Sequence, residues 1–396
     1  MNRVSWGLFF VSQRLMLGQF TKYAKIAYLI GQINFMKAIS LFTGAGGMDV
    51  GFQEAGFEIV WANELMPHAA ATYEKNHKAG VMHCGDLKGF MDQLPMNQNI
   101  DCVFGGPPCQ GFSVAGKMDP NDERSKLVFA FMDVIQRVKP TVFVMENVKA
   151  LATLEKFSSI REELLRRAIA LGYEGDFHLL NSKDFGVPQA RERVFFIGVK
   201  RSSGFSFNKH YLDCYKREAP TVRSVLKLLG PAGTEQNPMT CKAKITLAEK
   251  PVMRKSPYAG MIFNGMGRPL RIDGVSYTLP ASMGGNKTPI VDEAHVFLDA
   301  PSWIEWYHSQ LMTGEMPLKG KEVPPNLRRL TLKESASIQS FPENYIFSGP
   351  ISSQYTQIGN AVPCKLAKAV ASAVMDTFKK VAMKAQKGQQ RLELHS

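Results

Sequence analysis

Between Lys37 and Lys200, short and uniformly apolar runs alternate with longer stretches of helical character. Ala38-Ile39-Ser40-Leu41-Phe42, Glu58-Ile59-Val60-Trp61-Ala62, Ile100-Asp101-Cys102-Val103-Phe104, Thr141-Val142-Phe143-Val144-Met145 and Arg193-Val194-Phe195-Phe196-Ile197 read as strands. Lys126–Lys139 and Ser159–Leu171 read as helices between them. A strand that is apolar on both faces must be covered on both, and helical connections supply that cover. The pattern therefore predicts an α/β fold built on a parallel sheet. Ligands of such sheets bind beyond the carboxyl ends of the strands, so the loops after these runs are where chemistry is expected.

Beyond Lys200 the alternation stops. Residues 201–325 are rich in Pro, Gly, Lys and Ser and read as a second, smaller irregular domain, leaving 36–200 as the first. Residues 326–383 regain helical character in Leu332–Ser340 and in the amphipathic Lys365–Lys380, and 384–396 read as a polar tail. Residues 1–35 are basic, apolar and free of acid, the first acidic residue being Asp49. They suit a transit peptide or, the favoured reading, a stretch upstream of the true start at Met36, and are excluded from the fold either way.

The formal charge of +13 suits a polyanionic partner, since each neutralised phosphate releases condensed counterions. Six cysteines without a C-x-x-C pair offer neither a zinc site nor a disulfide framework, and point to a reducing cytoplasm. No metal is expected. No apolar stretch reaches the roughly 18 residues a membrane span needs, so no membrane partner is expected either.

The loops carry the chemistry. Phe42-Thr43-Gly44-Ala45-Gly46-Gly47 is a glycine turn directly after a strand, where backbone can approach a ligand closely. It is neither the dinucleotide fingerprint, whose third glycine is replaced by Asp49, nor a phosphate-binding P-loop. Glu64 ends the next strand, placed to accept from ribose hydroxyls, and Asp86 before Leu87 ends another run, placed for an adenine amino group. Together they describe an adenosine-shaped pocket.

In Gly105-Gly106-Pro107-Pro108-Cys109-Gln110-Gly111-Phe112-Ser113 two prolines stiffen the chain as it leaves a strand and display a thiol. Glu146 follows a fully apolar run, where partial desolvation raises a carboxyl pKa and lets it hold a proton. Arg191 and Arg193, two apart, are expected on one face of an incipient strand, where guanidiniums bind phosphate or a base carbonyl and favour a thiolate.

The ordered set resembles the DNA cytosine-5 methyltransferases. Phe42-x-Gly44-x-Gly46, Gly106-Pro107-Pro108-Cys109-Gln110, Glu146-Asn147-Val148 and Gln189-x-Arg191-x-Arg193 follow one another as in that family. Arg329-Leu330-Thr331 with Gln339-Ser340-Phe341-Pro342 looks like its ninth motif, and Gln357-Ile358-Gly359-Asn360-Ala361-Val362-Pro363 like its tenth. The resemblance spans about residues 37–380. It implies a Rossmann-like catalytic domain binding S-adenosyl-L-methionine through Phe42, Gly44, Gly46, Glu64, Asp86, Leu87, Pro108 and Asn360. It implies Cys109 as nucleophile, Glu146 at ring nitrogen 3 of the base, Arg193 at the cytosine carbonyl and Arg191 in support. The irregular region would recognise double-stranded DNA through Thr278, Leu279, Gly285, Asn286 and Lys287, with Gln110, Ser113 and Gln189 of the catalytic domain as further DNA contacts. A restriction-modification system is the expected context, with a cognate restriction endonuclease alongside and no obligate protein partner. Two rival readings are an RNA (tRNA) cytosine-5 methyltransferase on the same scaffold and a catalytically silent DNA-binding protein.

Overall fold

Seven strands form the central sheet: β1 Met36–Leu41, β2 Phe57–Glu64, β3 Val81–Cys84, β4 Cys102–Gly105, β5 Val142–Val148, β6 Tyr173–Asn181 and β8 Glu192–Lys200, with the two-residue β7, Gln189–Ala190, outside it. The computed structural model describes residues 36–78, 80–108, 127–204, 206–314 and 323–393, with side chains as far as Phe378. The strand order is β3-β2-β1-β4-β5-β8-β6. Chain progress reverses direction between β1 and β4, which opens a crevice at their carboxyl ends.

Pairing is parallel from β1 through β4 to β5, with Ile39 opposite Val103 and Val103 opposite Phe143. The expectation of a wholly parallel sheet needs correction at β8, which runs antiparallel to both β5 and β6. Its apolar run, Val194 to Ile197, reports burial on two faces, and burial does not specify direction. Direction follows from the Ser182–Arg191 connection, which is shorter than the crossover of a dozen or more residues that a parallel neighbour requires. The edge strand β6 escaped the sequence reading because it mixes Glu174, Asp176 and His178 among its apolar residues and stays partly exposed.

Helices cover the sheet: α1 Gly47–Ala55, α2 Pro67–Asn76, α3 Leu127–Val138 and α4 Ser158–Ala170. In α3, Val128, Phe131, Val134 and Ile135 recur at helical spacing and pack with Ile39, Val103 and Phe143 in one core. Each such side chain contributes roughly 1.5–3 kcal/mol by leaving water.

The irregular region holds α5 Val222–Leu229, a hairpin of β9 Leu247–Val252 and β10 Met261–Phe263, β11 Ser276–Tyr277, β12 Ile290–Asp292 and α6 Trp303–Met312. It is stitched into the rest of the chain at two places. β11 pairs with β7, and β12 pairs with β13 Leu327–Arg329. Val222, Leu226 and Leu279 also share a core with Leu330, Ile338 and Tyr355.

The chain closes with α7 Leu332–Ile338, α8 Ile351–Asn360 and α9 Cys364–Glu393. Thr331 and Glu334 form a reciprocal capping box at the start of α7. α9 packs against α1, with a Lys368–Glu54 ion pair of 3.0 Å at their contact. α9 also continues past Lys380 as far as Glu393, into the stretch expected to be a polar tail, because Ala, Lys, Gln and Arg are good helix formers whatever their polarity.

Candidate active site

At the carboxyl end of β1 the backbone turns sharply, with Phe42 at φ 53° and Gly44 at φ 57°. The Gly44 N–H donates to Glu64 Oε2 at 2.8 Å, and the Met66 N–H donates to Glu64 Oε1 at 2.8 Å. The carboxylate is thereby held in one orientation at the end of β2, and burial raises its pKa. Leu65 and Met66 follow it in sequence and are exposed apolar side chains, at 58% and 59%. Asp86 is exposed and caps a short 3-10 turn, accepting from the Lys88 N–H at 3.1 Å. The Leu87 side chain belongs to the core, which leaves only its backbone to meet a ligand. Asn63 fixes this corner by donating to His83 O and Gly85 O at 2.8 and 3.0 Å. The C-terminal region braces the glycine turn from behind, where the Tyr345 hydroxyl donates to Ala45 O and meets His77 Nε2 at 2.9 Å.

These groups fit an adenosyl cofactor: an oriented carboxylate for ribose hydroxyls, exposed apolar side chains for a flat base and a second carboxylate at the next strand end. Asn360 lies exposed at the end of α8.

The second cluster sits at the ends of β4 and β5. Glu146 is placed inside β5, two residues before its end, and is 8% exposed. Its Oε1 accepts from Arg193 Nε at 2.9 Å. Burial is the largest influence on the carboxyl and raises its pKa, while the charges of Arg193 and Arg191 oppose it without cancelling it. A Cβ on Gly106 would fall 2.8 Å from Glu146 Oε2, so glycine lets the Gly106-Pro107-Pro108 backbone press against that carboxyl. Asn147 is buried and donates to Pro107 O at 3.2 Å, pinning the loop where it leaves β4. Pro108, half-buried, ends the described part of this loop. Cys109, Gln110 and Ser113 lie outside the described residues.

Arg191 and Arg193 do different work despite their spacing. Arg191 precedes β8 and is 2% exposed. Its guanidinium donates to Leu279 O at 3.3 Å, Gly359 O at 2.9 Å and Asn360 O at 3.4 Å. It clamps the irregular region and the end of α8 to the sheet edge. Gln189, fully buried, accepts from the Leu279 N–H at 3.0 Å and donates to Gln339 Oε1 at 3.0 Å. Gln339 in turn donates to Ile358 O at 2.7 Å.

Two residues expected at DNA, Gln189 and Leu279, help to build this wall. The Gln189 and Leu279 side chains are both buried and turned into the protein, because one satisfies backbone and the other fills the core. Thr278 is exposed, with its hydroxyl donating to Ala190 O at 2.9 Å. Gly285 is half-buried, and Asn286 and Lys287 face outward. Asn147 and Gln339 stood in the quoted motifs without a role assigned to them. Their signal is a polar residue buried beside an otherwise apolar stretch, which one sequence shows only faintly.

Among the described residues no helix is long and apolar enough to cross a membrane, and no cluster of His, Cys, Asp and Glu could hold a metal ion.

The family of C-5 cytosine-specific DNA methylases matches residues 36–376. The type II methyltransferase M.FnuDI of Fusobacterium nucleatum is 32% identical over 347 residues, covering 87% of this chain and 95% of that protein. M1.HphI of Haemophilus parahaemolyticus is 32% identical over 348 residues, covering 85% and 86%. A solved DNA modification methyltransferase encoded within an E. coli prophage superposes with a TM-score of 0.62 at 21% identity, covering 87% of this chain and 99% of its own.

Proposed function

The chain belongs to the C-5 cytosine-specific DNA methylases, and from that membership we propose that it methylates cytosine in duplex DNA through covalent attack by Cys109 on a base turned out of the helix. The observation that carries the proposal is the buried Glu146 carboxyl, raised in pKa and pressed against the Gly106-Pro107-Pro108 backbone that leads directly to Cys109.

Carbon 5 of cytosine is too weak a nucleophile to accept a methyl group unaided. The Cys109 thiolate adds to carbon 6, and Glu146 donates its proton or a hydrogen bond at ring nitrogen 3. The addition leaves an enamine whose carbon 5 is nucleophilic. After methylation of carbon 5, loss of its proton and elimination of Cys109 restore the aromatic ring. Arg193 holds Glu146 and approaches the cytosine carbonyl, and Arg191 keeps the wall behind them closed. A paired base is inaccessible to such a site, so the nucleotide must leave the stack.

S-adenosyl-L-methionine supplies a sulfonium methyl when bound. Glu64, the Phe42–Gly46 turn, Asp86, the Leu87 and Pro108 backbone and Asn360 are the residues that hold it. Residues 201–325 form the target-recognition part, and exposed Asn286 and Lys287 are among its DNA contacts. The type II relatives support a restriction-modification context in a prokaryotic cytoplasm, with a cognate endonuclease acting on the same sequence.

The test offers plasmid DNA and tRNA separately to the protein with labelled methyl donor, followed by bisulfite sequencing of the DNA. Methylcytosine at one recurring DNA sequence is expected. Label entering only tRNA would replace this reading with an RNA methyltransferase, and label in neither would favour a silent DNA-binding protein.

A further inference from the structure

One exposed residue of the irregular region is held in a backbone conformation its own side chain disfavours. Met266 has φ 65°, a region that costs a side-chain-bearing residue of order 1–3 kcal/mol. It is 61% exposed, so burial does not offset that cost. Strain persists where the surroundings impose it, and here they do. A Cβ on Gly267 would lie 2.1 Å from Arg329 Nη1 and 2.5 Å from Thr288 O. One on Gly265 would lie 2.4 Å from Asn286 Cβ. The turn carrying Met266 is therefore pressed against the Gly284–Thr288 loop by its two flanking glycines.

Arg329 makes the arrangement rigid. Only 1% exposed, it donates to Thr288 O at 2.8 Å and to Lys244 O at 3.3 Å. One buried guanidinium so joins a third segment to the two loops. These segments expose Lys242, Lys244, Met266, Asn286 and Lys287, three cations and one amide beside an apolar side chain, while the Asn264 amide is spent on Thr246 and Leu247. This surface is also tied to the active edge. Leu279 accepts from Arg191, and Asn286 follows it closely enough in sequence to lie within about 25 Å even fully extended. That span is less than one turn of duplex DNA, about 34 Å.

Amides hydrogen-bond base edges, lysines meet phosphates and an exposed apolar group packs on a base. We infer that Met266 is a sequence-discriminating residue, making an apolar contact with a base that flanks the target cytosine. The inference rests on the reading that the protein methylates duplex DNA.

Met266→Gly is the informative variant, because glycine adopts this φ without strain. Its melting temperature should equal or exceed that of the parent. Its preference for the parent sequence over single-base variants at one flanking position, read by bisulfite sequencing of treated DNA, should fall about 5- to 150-fold. Met266→Leu, which keeps apolar bulk, should retain the preference. An unchanged sequence profile in a folded Met266→Gly protein would overturn the inference while leaving the methylation reading intact. A parent protein that methylates no DNA would overturn both.

Discussion

Glu146 and Arg193 meet diagonally across the antiparallel pair β5 and β8, Oε1 to Nε at 2.9 Å, with Glu146 opposite Phe195 and Arg193 opposite Val148. β8 runs antiparallel to both its neighbours, and this strand supplies the carboxylate's partner. Burial raises the Glu146 pKa and the arginine restrains the rise. The pair holds a carboxyl that can keep its proton without leaving its place.

Glu146→Gln should slow methyl transfer about 10²- to 10⁴-fold, the usual worth of a general acid or base, with cofactor binding retained. Single-turnover kinetics check it. An undiminished rate would remove Glu146 from the chemistry.

The pH dependence has a definite sign. If the reacting form is protonated Glu146, the rate holds below its folded pKa and declines as pH rises through it. Arg193→Gln removes a charge that lowers that pKa, so the declining limb should move to higher pH although the maximal rate falls. Normalised rate profiles of the two proteins test this, and a shift to lower pH would contradict it.

Arg191→Met should destabilise the protein by at least about 2 kcal/mol, because the carbonyls of Leu279 and Gly359 lose their donor in a buried wall. Denaturant titration measures it. Loss of activity at unchanged stability would mean that Arg191 acts on substrate alone.

Asp49, fully buried in the first turn of α1 beside Ser40 and Tyr73, has its pKa raised from 3.8 to about 7. Its folded state prefers the proton, so the cost to stability begins as pH climbs above 3.8 and is complete above about 7. Asp49→Asn mimics the protonated form. It should match the parent in acid and melt several degrees higher at pH 8, a difference that scanning calorimetry at both pH values resolves.

Much of this was legible in the sequence because it is local. The strand ends, the glycine turn, Glu64 twenty residues after Gly44 and Glu146 after its apolar run all follow from short-range pattern. What the pattern hides is long-range. The Gln189–Gln339 bond spans 150 positions and Arg329 reaches back to Lys244, contacts that no periodicity announces. Nor does a motif announce that the Gln189 and Leu279 side chains build a buried wall, since a polar motif residue can satisfy backbone as readily as touch substrate. Met266 carries no sequence signal at all, because only the folded backbone reveals its φ.

The central claim is covalent attack by Cys109, and trapping tests it most directly. The protein is incubated with its target duplex carrying 5-fluorocytosine at the methylated position, with and without S-adenosylmethionine, and then denatured. Fluorine cannot leave as the proton does, so elimination stalls. The account predicts a denaturation-resistant protein–DNA adduct that requires the cofactor and disappears in Cys109→Ser. Methyl transfer to ordinary cytosine by Cys109→Ser, or no adduct from an active parent enzyme, would contradict it.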